Sequence, residues 1–369
     1  MKNKVIEKFQ NQEIYKNSSK RRRVIIGSVA IILILLLGLV IYTKQNKTAY
    51  QEITQDLTQS GGIIPSPTPF LFQEMTIPYL RERLYDSNLA ALEKVSDNTN
   101  YSSYLTSFDS DGLQVNGLIT IPKGEEPENG FPAIVFVHGY IPPKSYQTLS
   151  NYSSYVDYLA KNGFVVFKID LRGHGKSEGE PGGSYYSSDY IIDVLNAYNA
   201  LQNSDFVNPK NIGLWGHSMA GNVLLRALAA KPDIPAVAIW AGAVYTYKDL
   251  QEYRISDNSY QPPSGVSERQ RKRQILFDTY GQFSDNSSFW QQIPATNYLS
   301  KIKGAISLHH AVDDNVVNIG YSRNLNEILN KTLITHELNE YPNGGHNLSG
   351  SVFNTAMQNT VEFFNKYLK

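Results

Sequence analysis

Apolar and polar positions fall into three regimes along the chain. Residues 24–42 are valine, isoleucine, leucine, glycine and alanine apart from Ser28 and Tyr42, without a charge, close to the ~20 apolar residues that a bilayer-spanning helix needs. A helix buried in a soluble core keeps a polar face over such a length. A cleaved leader has a shorter apolar region that ends in small residues, whereas here Tyr42-Thr43-Lys44-Gln45 follows. The pattern predicts an uncleaved transmembrane helix at 24–42. Residues 43–100 form a polar stalk and lead-in, interrupted by Gly61-Gly62 and by Pro65, Pro67 and Pro69, which favour an extended spacer.

From residue 101 short apolar runs alternate with amphipathic stretches. Residues 101–108 and 113–121 flank Asp109-Ser110-Asp111-Gly112 and read as an antiparallel hairpin. Strands are expected at 133–137, 164–170, 211–215, 236–240, 305–309 and 335–341, and helices at 152–161, 188–203, 219–231, 319–330 and 351–368. An unbroken apolar run such as Ala133-Ile134-Val135-Phe136-Val137 belongs to a strand covered on both faces. The alternation predicts an α/β fold, a mainly parallel sheet with helices on both faces. Its functional site is then expected at the carboxyl ends of the strands. Residues 241–302 break the pattern, with many aromatics and no clear strand, and are expected to form a partly helical cap insertion over that site.

Charge refines this outline. The chain has 34 Lys and Arg against 34 Asp and Glu, but the tail 1–23 is basic, with Lys2, Lys4, Lys8, Lys16, Lys20, Arg21, Arg22 and Arg23 against Glu7 and Glu13. The remainder is mildly acidic, which argues against nucleic-acid binding, because a phosphate backbone needs clustered cations. Basic residues before the apolar run predict a cytoplasmic tail and an extracytoplasmic domain on a single-pass cell-membrane protein. The basic run Arg269-Gln270-Arg271-Lys272-Arg273 reads as a solvated helix face, with contact to anionic lipid as the other reading. The absence of cysteine removes disulfides, thiolate nucleophiles and thiolate zinc sites.

The candidate chemistry sits at strand ends. Ile212-Gly213-Leu214-Trp215 leads into Gly216-His217-Ser218-Met219-Ala220-Gly221 and then a helix, the strand–turn–helix context of a nucleophile elbow. A serine capping an ordinary helix is the plain alternative. An unactivated hydroxyl needs a base, and the base needs an orienting group. Strand 305–309 ends in His310-Ala311-Val312-Asp313-Asp314, which supplies carboxylates, and the last strand is followed by Pro342-Asn343-Gly344-Gly345-His346. Of the seven histidines only His346 follows the last strand on a glycine-rich loop, the place of the base. His336 reads as structural, His309 and His310 as packing or loop-holding groups, and His217 as pointing elsewhere. No metal-ligand spacing such as H-E-x-x-H occurs, so neither a metal nor a cofactor is expected. The backbone N–H groups of Met219 and Tyr140, the latter in the loop after strand 133–137, are the candidate oxyanion donors.

With these residues in place, the chain from about 101 to 369 resembles the prolyl oligopeptidase-type branch of the α/β-hydrolases, relatives of dipeptidyl aminopeptidases and acylaminoacyl peptidases. The resemblance rests on Val137-His138-Gly139, on Asp170-Leu171-Arg172-Gly173-His174-Gly175-Lys176-Ser177, on the Ser218 elbow, on Asp314-Asn315-Val316-Val317 and on Gly345-His346. It places the acid at Asp314 rather than Asp313 and treats the Asp170–Ser177 string as shaping the floor of the site. It implies an α/β-hydrolase fold and a serine hydrolase with the triad Ser218, His346 and Asp314, acting on a peptide or small-molecule substrate. The β-propeller of the full oligopeptidases has no room in residues 43–100. Hydrolase chemistry is thus implied more firmly than peptidase activity, and a carboxylesterase or lipase-type esterase is the alternative. A non-catalytic surface binding protein on the same scaffold is the alternative of another class.

Overall fold

In the central strands, successive apolar side chains go to opposite cores. Ala133, Val135 and Val137 face one core while Ile134 and Phe136 face the other; Val165, Phe167 and Ile169 part from Val166 in the same way. This period of two explains why the strands read as unbroken apolar runs. The computed structural model describes residues 69–260 and 267–369, of which Phe70–Lys369 forms one compact unit.

The nine strands among the described residues are β1 (Glu93–Asp97), β2 (Tyr101–Ser110), β3 (Leu113–Pro122), β4 (Phe131–Val137), β5 (Val165–Ile169), β6 (Val207–His217), β7 (Ala236–Trp240), β8 (Ala305–Ala311) and β9 (His336–Tyr341). They join one sheet in the order β1-β2-β3-β5-β4-β6-β7-β8-β9. The pairs β1–β2, β2–β3 and β3–β5 are antiparallel, and from β5 onward across the sheet every pair is parallel. Asp111 and Gly112 turn the β2–β3 hairpin at φ 56° and 79°, the pair of positive values that a two-residue hairpin loop needs. β1 is an edge strand whose side chains are all exposed, and its lack of an apolar face left it illegible in the sequence.

Helices α1 (Ile77–Glu82), α2 (Ser153–Lys161), α3 (Asp189–Gln202), α4 (Ala220–Ala230), α5 (Tyr247–Tyr253), α6 (Glu268–Tyr280), α7 (Gly320–Leu329) and α8 (Val352–Leu368) complete the unit. The apolar stripes of α2 and α8 cover one face of the sheet, and α3, α4 and α7 cover the other. The chain leaves β4 through α2 on one face for β5, then returns through α3 on the opposite face to β6. The strand order therefore reverses around β4, and its carboxyl end opens a crevice between the β4 and β6 loops.

The lead-in from Phe70 is built into this unit. Ile77 and Leu80 of α1 are fully buried in the α3–α4 core. Arg81 Nε donates to Ala229 O at 2.7 Å, and the buried Arg226 guanidinium of α4 donates to Met75 O at 2.7 Å and Ser187 O at 2.8 Å. In the segment 241–304, α5 and α6 each start with a capping box, Thr246 with Asp249 and Ser267 with Gln270. Three 3-10 turns follow before β8. Met75, Tyr247, Leu276, Phe289, Trp290 and Ile293 form a separate apolar cluster here. The basic run is partly engaged: Arg269 donates to Asp189 at 2.9 Å and Arg273 lies over the Tyr186 ring.

The expectation of a transmembrane helix in the fold is corrected. Among the described residues no helix is long and apolar enough to cross a membrane. The apolar α3 has 14 residues, short of the ~20 required. The 17-residue α8 shows an exposed polar stripe of Asn354, Gln358, Glu362 and Lys366. Contact with a bilayer through an N-terminal helix has no support in this fold. The stretch 24–42 lies outside the described residues, as do the tail 1–23 and the stalk up to 68.

One ion pair in the Asp170–Ser177 string has a stability consequence. Arg172 and Asp193 are buried together, joined at 2.6 Å and 3.0 Å, and Asp193 also takes the Arg172 N–H and the Ser110 hydroxyl. Removing one partner of such a pair strands a buried charge, at a cost of about 3–5 kcal/mol. Asp193→Ala is expected to lower the unfolding free energy by that amount in urea titrations; wild-type stability would contradict the role given to this pair.

Candidate active site

The parallel register carries five strand ends to one edge. Val137 pairs with Gly216, His217 with Trp240, Trp240 with His309, and Ala311 with Tyr341. Ser218 follows β6 at φ 57°, a left-handed conformation that costs a non-glycine residue of order 1–3 kcal/mol. Flanking bonds hold it there: Ser218 N donates to Trp240 O at 2.9 Å, and Ser218 O accepts from Gly221 N at 2.9 Å and Ala243 N at 3.1 Å. The turn is possible because strand and helix almost touch. A Cβ on Gly216 would sit 2.7 Å from Cβ of Ala220 and 2.8 Å from Leu224 Cδ1. Ala220 fills that space, so its methyl in place of a hydrogen is accommodated only because residue 216 is glycine. Met219 is the first residue past the serine, at the start of α4, where free N–H groups favour negative charge.

Asp314 and His346 meet. His346 Nδ1 lies 2.8 Å from Asp314 Oδ2, and the carboxylate side chain is wholly buried while the imidazole keeps 15% exposure. Val316 N and Val317 N donate to Asp314 Oδ1 at 2.8 and 3.0 Å, and His310 Nε2 lies 3.2 Å from Oδ2. Burial alone would raise the Asp314 pKa. The bonds from His310 and His346, the His346 charge and the Val317 N–H outweigh it and hold the carboxyl well below the usual range. Asp313 serves differently, accepting the Gly345 N–H at 2.9 Å and so tying down the loop that presents His346.

His217 does not point elsewhere. Its Nε2 bonds the backbone carbonyl of His346 at 2.8 Å, and the two rings are 4.5 Å apart. The His346 loop is thereby docked on the elbow beside Ser218. No hydrogen bond joins the Ser218 hydroxyl to His346 among the described residues; such contacts often close only when substrate arrives. On the other side, a Cβ on Gly139 would lie 3.1 Å from His217 O, so the loop bearing Tyr140 runs against the elbow backbone. His138 and His174 pack edge to face behind that loop, and His174 Nε2 reaches Ile141 O at 3.3 Å. The Tyr140 ring lies 5.7 Å from that of Tyr260. Of the candidates, the structure brings Asp314 and His346 into contact beside the Ser218 elbow, with Met219 and Tyr140 on the adjoining loops; His310, read as a packing or loop-holding group, bonds Asp314, and the contacts of His217 and Asp313 were not foreseen. The only available signal was their adjacency to the candidate residues. Among the described residues no group of His, Asp or Glu is arranged to hold a metal ion.

Residues 131–260 match the sequence model of the family described as serine aminopeptidase, S33. The match spans the β4 loop and the elbow. The chain has the α/β-hydrolase fold. The chain is 25% identical over 244 residues to the uncharacterized peptidase YuxL of Bacillus subtilis, covering 65% of this chain and 34% of that protein. It is 33% identical over 117 residues to the thiohydrolase aneE of Aspergillus aculeatus, covering 32% and 34%. The chain thus spans about a third of the length of these curated relatives. Two solved structures share its fold. Acetyl xylan esterase 1 from a Thermoanaerobacterium species gives a TM-score of 0.55 at 20% identity, with 84% of this chain and 98% of that one covered. The Pyrococcus horikoshii acylaminoacyl peptidase gives 0.57 at 21%, with 74% and 44% covered.

The candidate site is surrounded by buried titratable groups, which set its acid stability. Burial pushes His138, His217 and His309 each down to about 3, against an ordinary value of ~6.5. Between these limits the unfolded chain binds protons that the folded one does not. Stability therefore falls as pH drops below ~6.5, by up to ~1.4 kcal/mol per pH unit for each ring. Asp170, raised to about 6 by burial against the opposing bonds of Thr148 and Tyr146, runs the other way and offsets about one ring. The urea midpoint is expected to fall clearly from pH 7.5 to pH 5; an unchanged midpoint would show that these rings are protonated in the folded state.

Proposed function

We propose that this protein cleaves an ester or amide bond through an acyl-enzyme, with Ser218 as nucleophile, His346 as base and Asp314 as the group that orients it. The observation that carries the reading is the buried Asp314–His346 pair, docked by the His346 carbonyl on the strained turn that bears Ser218. The Ser218 oxygen attacks the acyl carbon while its proton passes to His346 Nε2. The carbonyl electron pair becomes an oxyanion facing the N–H groups of Met219 and Tyr140. Collapse expels the alcohol or amine, which takes the proton from His346. Water, deprotonated by the same imidazole, attacks the acyl carbon and frees the acid and the serine. The Asp314 carboxylate stays ionised and stabilises the imidazolium without taking its proton.

The substrate is a peptide or a small molecule with an ester or amide bond. Tyr140, which follows the Gly139 that abuts the elbow backbone, is in ring contact with Tyr260, and the pair favours an apolar or aromatic group next to the bond that is cut. Peptidase action follows the serine aminopeptidase match, and esterase action is the second reading, favoured by the likeness to acetyl xylan esterase 1.

Two measurements test this. A fluorophosphonate probe is expected to label the wild-type protein and not Ser218→Ala; labelling that persists in the variant would remove Ser218 from the role. Asp314→Asn is expected to lower kcat about 10³–10⁴-fold, measured on p-nitrophenyl esters and aminoacyl-naphthylamides side by side, whose relative turnover separates esterase from peptidase.

A further inference from the structure

His217 has no part in the mechanism above, yet its buried ring joins both loops that the mechanism uses. Nε2 lies 2.8 Å from the His346 carbonyl oxygen. A carbonyl only accepts, so Nε2 carries the proton and donates. The ring is 2% exposed, and burial holds it neutral. Nδ1 is then an acceptor, and the Tyr152 hydroxyl, 2.7 Å away, donates to it. The oxygen of that hydroxyl in turn accepts the Gly139 N–H at 3.0 Å. One directed chain results: Gly139 N–H to Tyr152 O–H to His217, and His217 Nε2–H to the carbonyl of His346. Tyr152 is held at φ 61° to supply its hydroxyl, a backbone conformation that persists only where the surroundings fix it. Its ring packs edge-on against Phe136 and Trp215, which stack on each other.

We propose that His217 is a positioning residue for the reaction, holding the His346 loop and the Gly139–Tyr140 loop in register on the elbow. The inference rests on the acyl-enzyme reading. His217 touches neither substrate nor a reacting atom. It fixes the height of the base through the backbone of His346 and fences the imidazole by ring contact at 4.5 Å. Through Tyr152 it sets the approach of the backbone that precedes the Tyr140 N–H. A displacement of ~1 Å in such a group costs up to ~100-fold in rate.

Separating these contacts from simple packing takes four variants. His217→Phe keeps the ring volume and loses both bonds. His217→Gln keeps a donor at the position of Nε2, and His217→Asn keeps an acceptor at the position of Nδ1. Tyr152→Phe removes the acceptor of the Gly139 N–H and the donor to His217 Nδ1, and leaves the His217–His346 bond in place. With the fluorophosphonate probe and a p-nitrophenyl ester, His217→Phe is expected to lose about 10–100-fold in labelling rate and kcat, with KM within about threefold. His217→Gln is expected to recover most of that loss and His217→Asn little of it, because the His346 carbonyl governs the base. Tyr152→Phe is expected to slow labelling several-fold, and it carries the test if His217→Phe fails to fold. Wild-type rates in His217→Phe, equal rates in the Gln and Asn variants, or an unaffected Tyr152→Phe where His217→Phe fails to fold, would overturn the proposal. A wild-type protein inert to the probe would instead remove the acyl-enzyme reading, and the inference with it.

Discussion

A buried carboxylate with every lone pair directed is the constraint on which the site depends. Asp314 has no solvent on its side chain, and four donors surround it: His346 Nδ1, His310 Nε2 and the N–H groups of Val316 and Val317. An isolated carboxylate in this place would take up a proton rather than remain charged. These four bonds keep it ionised, and an ionised Asp314 in turn fixes which His346 nitrogen carries hydrogen. The other nitrogen is left free to act as a base. His310 is itself anchored, with Nδ1 at 2.8 Å from the Ser322 hydroxyl of α7 and Nε2 shared with Val317 O. The acid is therefore held by β8, the turn after it and α7 together.

The sheet delivers the remaining parts. Parallel register brings the ends of β4, β6, β8 and β9 to one edge, and the reversal of strand order at β4 opens the crevice there. Local strain is concentrated on the same edge: Ser218 has φ 57°, and Ala241 and Val244 follow β7 at 46° and 56°. Such conformations survive only when surrounding packing over-determines them. The contacts of Gly216 with Ala220 and of Gly221 with Gly242 show how close that packing is.

Much of this was legible in the sequence because both cores are patterned. The strands at 236–240 and 336–341 and the long helices were readable from apolar runs and 3.6-residue stripes, and the element ends differ by a few residues. The triad candidates were legible because each follows a strand in an order that the chain itself displays. What escaped has a physical reason. β1 carries no buried face, so nothing in its composition marks it as a strand. Helix α1 is six residues long and earns its place through Arg81 and the Arg226–Met75 contact, between groups some 150 residues apart. His217, His310 and Asp313 act through backbone atoms or through each other, and a one-dimensional string does not encode such contacts. The apolar stretch 24–42 shows the reverse limit. Its pattern suggested a membrane helix, and the described fold gives that reading no support.

The central claim is that Asp314, and not its neighbour Asp313, holds the Nδ1 proton of His346. Proton NMR of the folded protein with 15N-labelled histidine measures this directly, through the imidazole N–H resonance that a buried carboxylate pulls strongly downfield. A downfield proton on His346 Nδ1 is expected in wild type and in Asp313→Ala and is expected to be lost in Asp314→Ala. The same signal persisting in Asp314→Ala, or disappearing only in Asp313→Ala, would contradict it.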